Sequence, residues 1–234
     1  MKPIVIQGAM DIEIEYLLEK LSTPKKSVIG GSEFYEGDIN GRSIVLSKTG
    51  VGIVKASLAT TAAILHFGPS IVINQGTAGS HASDIHIGDI IIGEKVVNIN
   101  SFKTLFKRQG KGSVSLDWIA SDWATNSNFC DSQLLEIAKK VQYSDGKVYA
   151  GTIGSGDIWN KEIDRINWIH EHYSTLCEDM ESIATYNVCH SFNLPCIGVR
   201  IISNNEMTGQ EYDENISIKV QKFVLDLVNR LESV

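Results

Sequence analysis

The chain has 234 residues, of which 43% are hydrophobic and 21% charged, and a formal net charge of −7 at pH 7. That length suits one α/β domain able to bury a sizeable core, and the acidic balance without a long Lys/Arg run excludes a protein that tracks a nucleic-acid backbone. Cys130, Cys177, Cys189 and Cys196 form no C-x-x-C pair and have no metal-ligand spacing with the six histidines. Reduced thiols, no metal and a cytoplasmic location are therefore expected. The N-terminus has no signal-peptide core, and no apolar run reaches membrane-spanning length, so no membrane partner is expected either.

In chain order, a strand is predicted at 3–7 and a helix at 11–21. The helix puts Ile14, Leu17, Leu18 and Leu21 on one stripe, with Asp11 as its N-cap. Three strands at 26–30, 34–39 and 43–47 read as an antiparallel meander. A helix rich in Ala and Leu follows at 54–67, with Pro69 beyond its end. Strands at 71–74 and 89–97 contain unbroken Val/Ile runs, as expected of strands covered on both faces. A strand at 147–153, a helix at 180–192, a strand at 196–202 and a helix at 214–231 complete the pattern. Residues 103–130, around Trp118 and Trp123, are irregular and read as a flap or a partner surface. The alternation predicts one α/β domain over 1–234, a three-layer sandwich whose central mixed β-sheet is flanked by helices.

Several loops at strand ends carry groups able to do chemistry. Gly50-Val51-Gly52 opens a helix and serves either an anion or close strand–helix packing. Gly76-Thr77-Ala78-Gly79 is either a tight turn or a place where a ligand meets bare backbone, with the Thr77 hydroxyl available to it. Glu13 lies one turn past the first strand, where crevice ligands of open α/β sheets bind, and is either a base for water or a solvated acid. Glu178, Asp179 and Glu181 crowd around Met180, expected as the opening of the next helix. A carboxylate there could accept from two neighbouring hydroxyls. Arg200 lies near the end of the strand after Pro195, and a buried Arg needs a carboxylate partner.

Taken together, Gly8-Ala9-Met10 with Glu13, Gly76-Thr77-Ala78-Gly79, Ile87-Gly88-Asp89-Ile90, Gly154-Ser155-Gly156-Asp157, Asp179-Met180-Glu181 and Val199-Arg200 with Ser203 occur in an order that resembles the nucleoside phosphorylase and nucleosidase superfamily. The likeness is greatest to the 5′-methylthioadenosine/S-adenosylhomocysteine nucleosidases and runs along nearly the whole chain. It implies a nucleoside phosphorylase-like fold, a homodimer, a small-molecule purine nucleoside as ligand, no cofactor, and hydrolysis of an N-glycosidic bond. Carried over by residue, Glu13 activates water, Met180 and Glu181 hold the ribose, and Thr77 lies near the sugar. Ala9, Met10 and Asp179 complete the pocket, Trp159 flanks the purine, and Arg200 and Ser203 orient position 204.

Asn204 departs from the resemblance, which has an aspartate there to protonate the base. Loss of a general acid costs about 10²–10⁴-fold in rate, yet an amide can still pair with adenine or donate to the carbonyl of a 6-oxopurine. Three readings therefore stand: adenine chemistry, a 6-oxopurine nucleoside such as futalosine or inosine taken by hydrolysis or phosphorolysis, and a catalytically weak nucleoside-binding protein. Residues 98–104 lack the acids expected near a Thr, so the pocket for the base or the 5′ group also differs. Asp11 stands where a phosphorylase would place a phosphate-binding loop, which favours water as nucleophile.

Overall fold

The computed structural model describes residues 2–112, 118–120 and 127–231. In chain order it has β1 (Ile4–Gly8), α1 (Glu15–Lys20), β2 (Ser22–Ile29), β3 (Ser32–Ile39), β4 (Arg42–Lys48), α2 (Ile53–Phe67), β5 (Ile71–Ser80) and β6 (Ile90–Asn98). Then come β7 (Phe102–Thr104), β8 (Trp118–Ala120), β9 (Ser127–Phe129), α3 (Ser132–Ala138), β10 (Val148–Ser155), α4 (Ile163–Tyr173), β11 (Thr175–Asp179), α5 (Ser182–Ser191), β12 (Cys196–Asn204) and α6 (Ser217–Arg230).

The main sheet runs β11-β10-β6-β12-β5-β1-β4-β3-β2, parallel at β4-β1-β5-β12 and antiparallel through the β2-β3-β4 meander. Successive residues point to opposite faces. Ile4 and Ile6 join a core with Leu17, Phe223 and Leu227 on one side, while Val5 joins Ala63, Ile183 and Tyr186 on the other. Helices therefore cover both faces of a mixed sheet, the α/β architecture expected. One addition matters for the site. β11 pairs with β10 and, antiparallel, with the end of β5, so β5, β12, β6, β10 and β11 form a closed ring of strands.

The predicted helix at 11–21 is broken. A 3-10 turn covers Asp11–Glu13, and α1 begins only at Glu15. The Glu13 carbonyl, which would take the Leu17 N–H in a continuous helix, accepts from the Gln75 side chain, and Leu17 N–H donates to Gln221 Oε1 at 3.3 Å. Tertiary partners have replaced a helical hydrogen bond. Asp11, expected as the N-cap, lies inside the turn and pairs with Lys48 at 2.9 Å.

The strand expected at 71–74 continues to Ser80 through Gly76-Thr77-Ala78-Gly79, paired with β12 along its length. The acids expected to open a helix at 180 instead end a strand, β11, and α5 starts at Ser182 with Glu181 as its N-cap. Within the irregular stretch, β7 and β8 form a two-stranded ribbon and β9 adds to β6. Trp123 lies outside the described residues.

Candidate active site

The carboxyl ends of β1, β5, β11 and β12 converge on a cavity of about 330 Å³. Ala9, Met10, Glu13, Thr77, Trp159, Asp179, Met180, Glu181, Ser203 and Asn204 all line it. These ten come from segments nearly 200 residues apart, and the strand order alone brings them together.

Glu13 is 3% exposed. Oε2 accepts from the N–H groups of Ala9 at 2.8 Å and Met10 at 3.2 Å, and Oε1 accepts from Thr77 N–H at 2.9 Å and the Thr77 hydroxyl at 3.1 Å. The broken helix is what lets this side chain turn back into the cavity. Gly76 is required beside it, since a Cβ there would sit 2.6 Å from Glu13 Oε1.

Glu181 faces Glu13 from the start of α5. Its Oε1 accepts from Gly52 N–H at 2.9 Å, and the neighbouring Ile53 N–H donates to Asp157 at 2.7 Å. The N-terminus of α2, legible in sequence as an anion site, thus holds two of the chain's own carboxylates. Burial pushes the Glu181 carboxyl up to about 8; the charges of Asp179 and Glu13 add to the shift, and Arg200 and the Gly52 N–H oppose it.

Arg200 does not reach the ligand space, contrary to its expected role beside position 204. Its guanidinium is buried behind the wall, with Nε 2.5 Å from Asp179 Oδ2 and Nη2 donating to Asn74 and to Ser182 Oγ at 2.9 Å. Asp179 also accepts from Ser155 Oγ at 2.6 Å and from the N–H groups of Glu181 and Ser182 at 3.2 and 3.1 Å. This ion pair fixes the backbone turn that carries Met180 and Glu181. Asp179 is accordingly a support for its neighbours, with its carboxylate committed to Arg200.

At the opposite end, Ser203 Oγ donates to Asn204 Oδ1 at 3.1 Å, and Asn204 Nδ2 donates to Glu206 Oε1 at 3.2 Å. The same Glu206 oxygen accepts from Trp159 Nε1 at 3.3 Å, and the Trp159 and Tyr212 rings meet edge to face at 5.7 Å. Sequence reasoning missed Val51, Ile158, Glu178 and Tyr212 as wall residues, whereas Ala78 and Gly79 lie in the segment it offered to a ligand. Glu178 was visible as one acid in a cluster, but its neighbours hid which of the three had which task. Tyr212 lies after β12 in a polar loop that carries no motif.

A family model described as the phosphorylase superfamily matches residues 3–232. The chain belongs to that superfamily. Within it, a 5′-methylthioadenosine/S-adenosylhomocysteine nucleosidase of Halalkalibacterium halodurans is 33% identical over 237 residues, covering 99% of this chain and 100% of that one. The nucleosidase of Neisseria meningitidis, solved with methylthio-immucillin-A, superposes with a TM-score of 0.84 at 27% identity, over 99% of this chain and 100% of the other. A futalosine hydrolase of Helicobacter pylori superposes with a TM-score of 0.83 at 26% identity, over 98% of each chain. Full-length similarity of this kind makes the superfamily member an N-glycosidic hydrolase of the nucleosidase type.

Proposed function

We propose that this superfamily member is a purine nucleosidase that hydrolyses the N-glycosidic bond of 5′-substituted nucleosides. Its relatives' names point to 5′-methylthioadenosine and S-adenosylhomocysteine as substrates and adenine as product. The observation that carries the reading is that Glu13, from the turn after β1, and Asn204, at the end of β12, line one cavity together with Glu181. Cleavage builds positive charge on the ribose ring and negative charge on the departing purine. A carboxylate on one face and a hydrogen-bond donor at the base answer both charges.

In this reading Glu13 takes the proton of the attacking water. Four donors already occupy its oxygens, so the Thr77 hydroxyl, the one free to rotate, gives way to water at Oε1. Glu181 accepts from the ribose hydroxyls, Met180 packs on the sugar, and Trp159 and Tyr212 flank the base. Arg200 acts only through Asp179.

A second reading, a 6-oxopurine nucleoside such as futalosine or inosine, is favoured by the amide at position 204, which can donate to a carbonyl on the base. A homodimer is also proposed, because α2 turns Val54, Leu58 and Leu65 outward at 77%, 49% and 71% exposure. These form a stripe at helical spacing, and Val51 continues it into the cavity wall. No helix among the described residues is long and apolar enough to cross a membrane, in keeping with the proposed cytoplasmic location.

The test is incubation with methylthioadenosine, adenosylhomocysteine, inosine and futalosine, with and without phosphate, followed by chromatography of the free base and sugar. Base release with free ribose, independent of phosphate, is expected. A ribose 1-phosphate product, or binding with no release from any of the four, would overturn the reading.

A further inference from the structure

Glu178 lines the cavity and has no task in the mechanism above. It pairs with Gly79 of β5 across one edge, and Asn204 pairs with the same Gly79 across the other. The two backbones therefore flank the same bare glycine from opposite sides. Gly79, Glu178 and Asn204 all line the cavity, so a flat ring placed over Gly79 would have an amide on one side and a carboxylate on the other.

The Glu178 side chain is 7% exposed. Oε1 accepts from Asn160 N–H at 2.7 Å, while Oε2 accepts from the Asn160 side chain and lies 3.1 Å from His81 Nε2. His81 is held in turn by Thr175 Oγ1, 2.7 Å from Nδ1. Three contacts leave roughly one of the carboxylate's four acceptor positions for a ligand. Asn204 is fixed as well, by Ser203 at its oxygen and Glu206 at its nitrogen, with one N–H and one lone pair remaining. Such an amide reads the N7 edge of adenine and of a 6-oxopurine equally well. A carboxylate at the far edge does not. It attracts a base with N–H at N1 and repels one with a lone pair there.

We propose that Glu178 and Asn204 together make this base site selective for 6-oxopurines over adenine. The inference rests on the nucleosidase reading of the cavity and names the base that it takes. Free hypoxanthine and free adenine, titrated calorimetrically into the intact protein, test it without requiring turnover. Hypoxanthine is expected to bind at least about tenfold tighter, since an unmatched polar group in a buried site is heavily penalised. The same preference should appear in kcat/KM for 5′-methylthioinosine against 5′-methylthioadenosine, which differ only at the base. Glu178→Gln should bring the ratio towards one, because an amide can turn either group to N1. Asn204→Asp, which leaves the Asn160 and His81 contacts untouched, should weaken hypoxanthine at alkaline pH, where the ionised acid repels the carbonyl oxygen of a 6-oxopurine. Adenine binding as tightly as hypoxanthine in the parent protein, or a ratio unmoved by either substitution, overturns the proposal. Tighter hypoxanthine binding with no nucleoside hydrolysed would support the base assignment while removing the nucleosidase reading.

Discussion

Gly52 N–H donates to Glu181 Oε1 across 129 residues of sequence, so the helix end best suited to hold a free anion is closed by the protein's own side chain. The next N–H, of Ile53, is taken by Asp157. A phosphate ion entering here would have to displace two carboxylates. The local electrostatics thus disfavour a phosphorylase and leave the α2 dipole to steady the proposed ribose-binding acid.

Gly52→Ala tests that relationship. Gly52 has φ 104°, and a Cβ there would sit 2.9 Å from Asp157 Oδ1. Strained backbone of this kind costs about 1–3 kcal/mol. Urea denaturation should show a loss in that range, and KM should rise because Glu181 loses its anchor. Unchanged stability together with unchanged KM would show that the Gly52 contact fixes nothing.

Glu13→Gln separates chemistry from support. An amide presents N–H where a carboxylate presents an acceptor, so at least one of the backbone donors from Ala9, Met10 or Thr77 loses its partner. The expected loss of stability is about 1–3 kcal/mol, with kcat falling about 10²–10⁴-fold. Calorimetric binding of a nucleoside should persist. A variant that is less stable yet turns over at the parent rate would remove Glu13 from the mechanism.

The parts of the fold carried by apolar periodicity were legible in the sequence, among them β1, the meander, α2, β6 and α6. Elements whose residues answer to tertiary partners were not. Glu178 and Asp179 read as the opening of a helix, yet Thr175–Asp179 is a strand because β10 and β5 supply its hydrogen bonds and Arg200 neutralises Asp179. The small residues of 76–79 read equally as a turn or as bare backbone open to a ligand; β12 holds them extended, and 77–79 line the cavity. Motif order picked out ten residues that line the cavity. Which candidates face the cavity and which support it was not legible, since sequence cannot show that the Arg200 guanidinium is taken up by Asp179, Asn74 and Ser182.

Glu181 makes stability depend on pH. Its carboxyl is raised to about 8 in the fold, mainly by burial, from an ordinary 4.5. The folded state thus holds this proton where the unfolded chain has released it. Its contribution is fully present below about 4.5 and is lost as pH rises through about 8. Glu181→Gln keeps an acceptor for Gly52 and removes the titration. The variant's melting temperature should therefore gain on the parent's as pH climbs across that window, with little difference at the acid end. Parallel curves would mean that Glu181 is ionised throughout. Weaker nucleoside binding by the variant is expected above about pH 8, where the parent's ionised acid offers two acceptor oxygens and the amide only one.

Asn204→Asp asks whether an acid is all that adenine chemistry lacks here. Asn204 Nδ2 lies 3.2 Å from Glu206 Oε1, so an aspartate in the same rotamer brings two carboxyls together. Two such groups cannot both ionise cheaply, and the pair keeps one proton well above the usual carboxylate range. At neutral pH that proton can be given to N7 of the departing base. Adenine release from methylthioadenosine should rise by at least about tenfold, with the gain extending into mildly alkaline solution. Adding Glu206→Gln removes the second charge, and the alkaline limb should then retreat towards acid pH. A single variant that gains nothing on adenine nucleosides would show that the proton is not what this site is missing. If the gain survives with the limb unmoved in the double variant, Glu206 is not coupled to position 204.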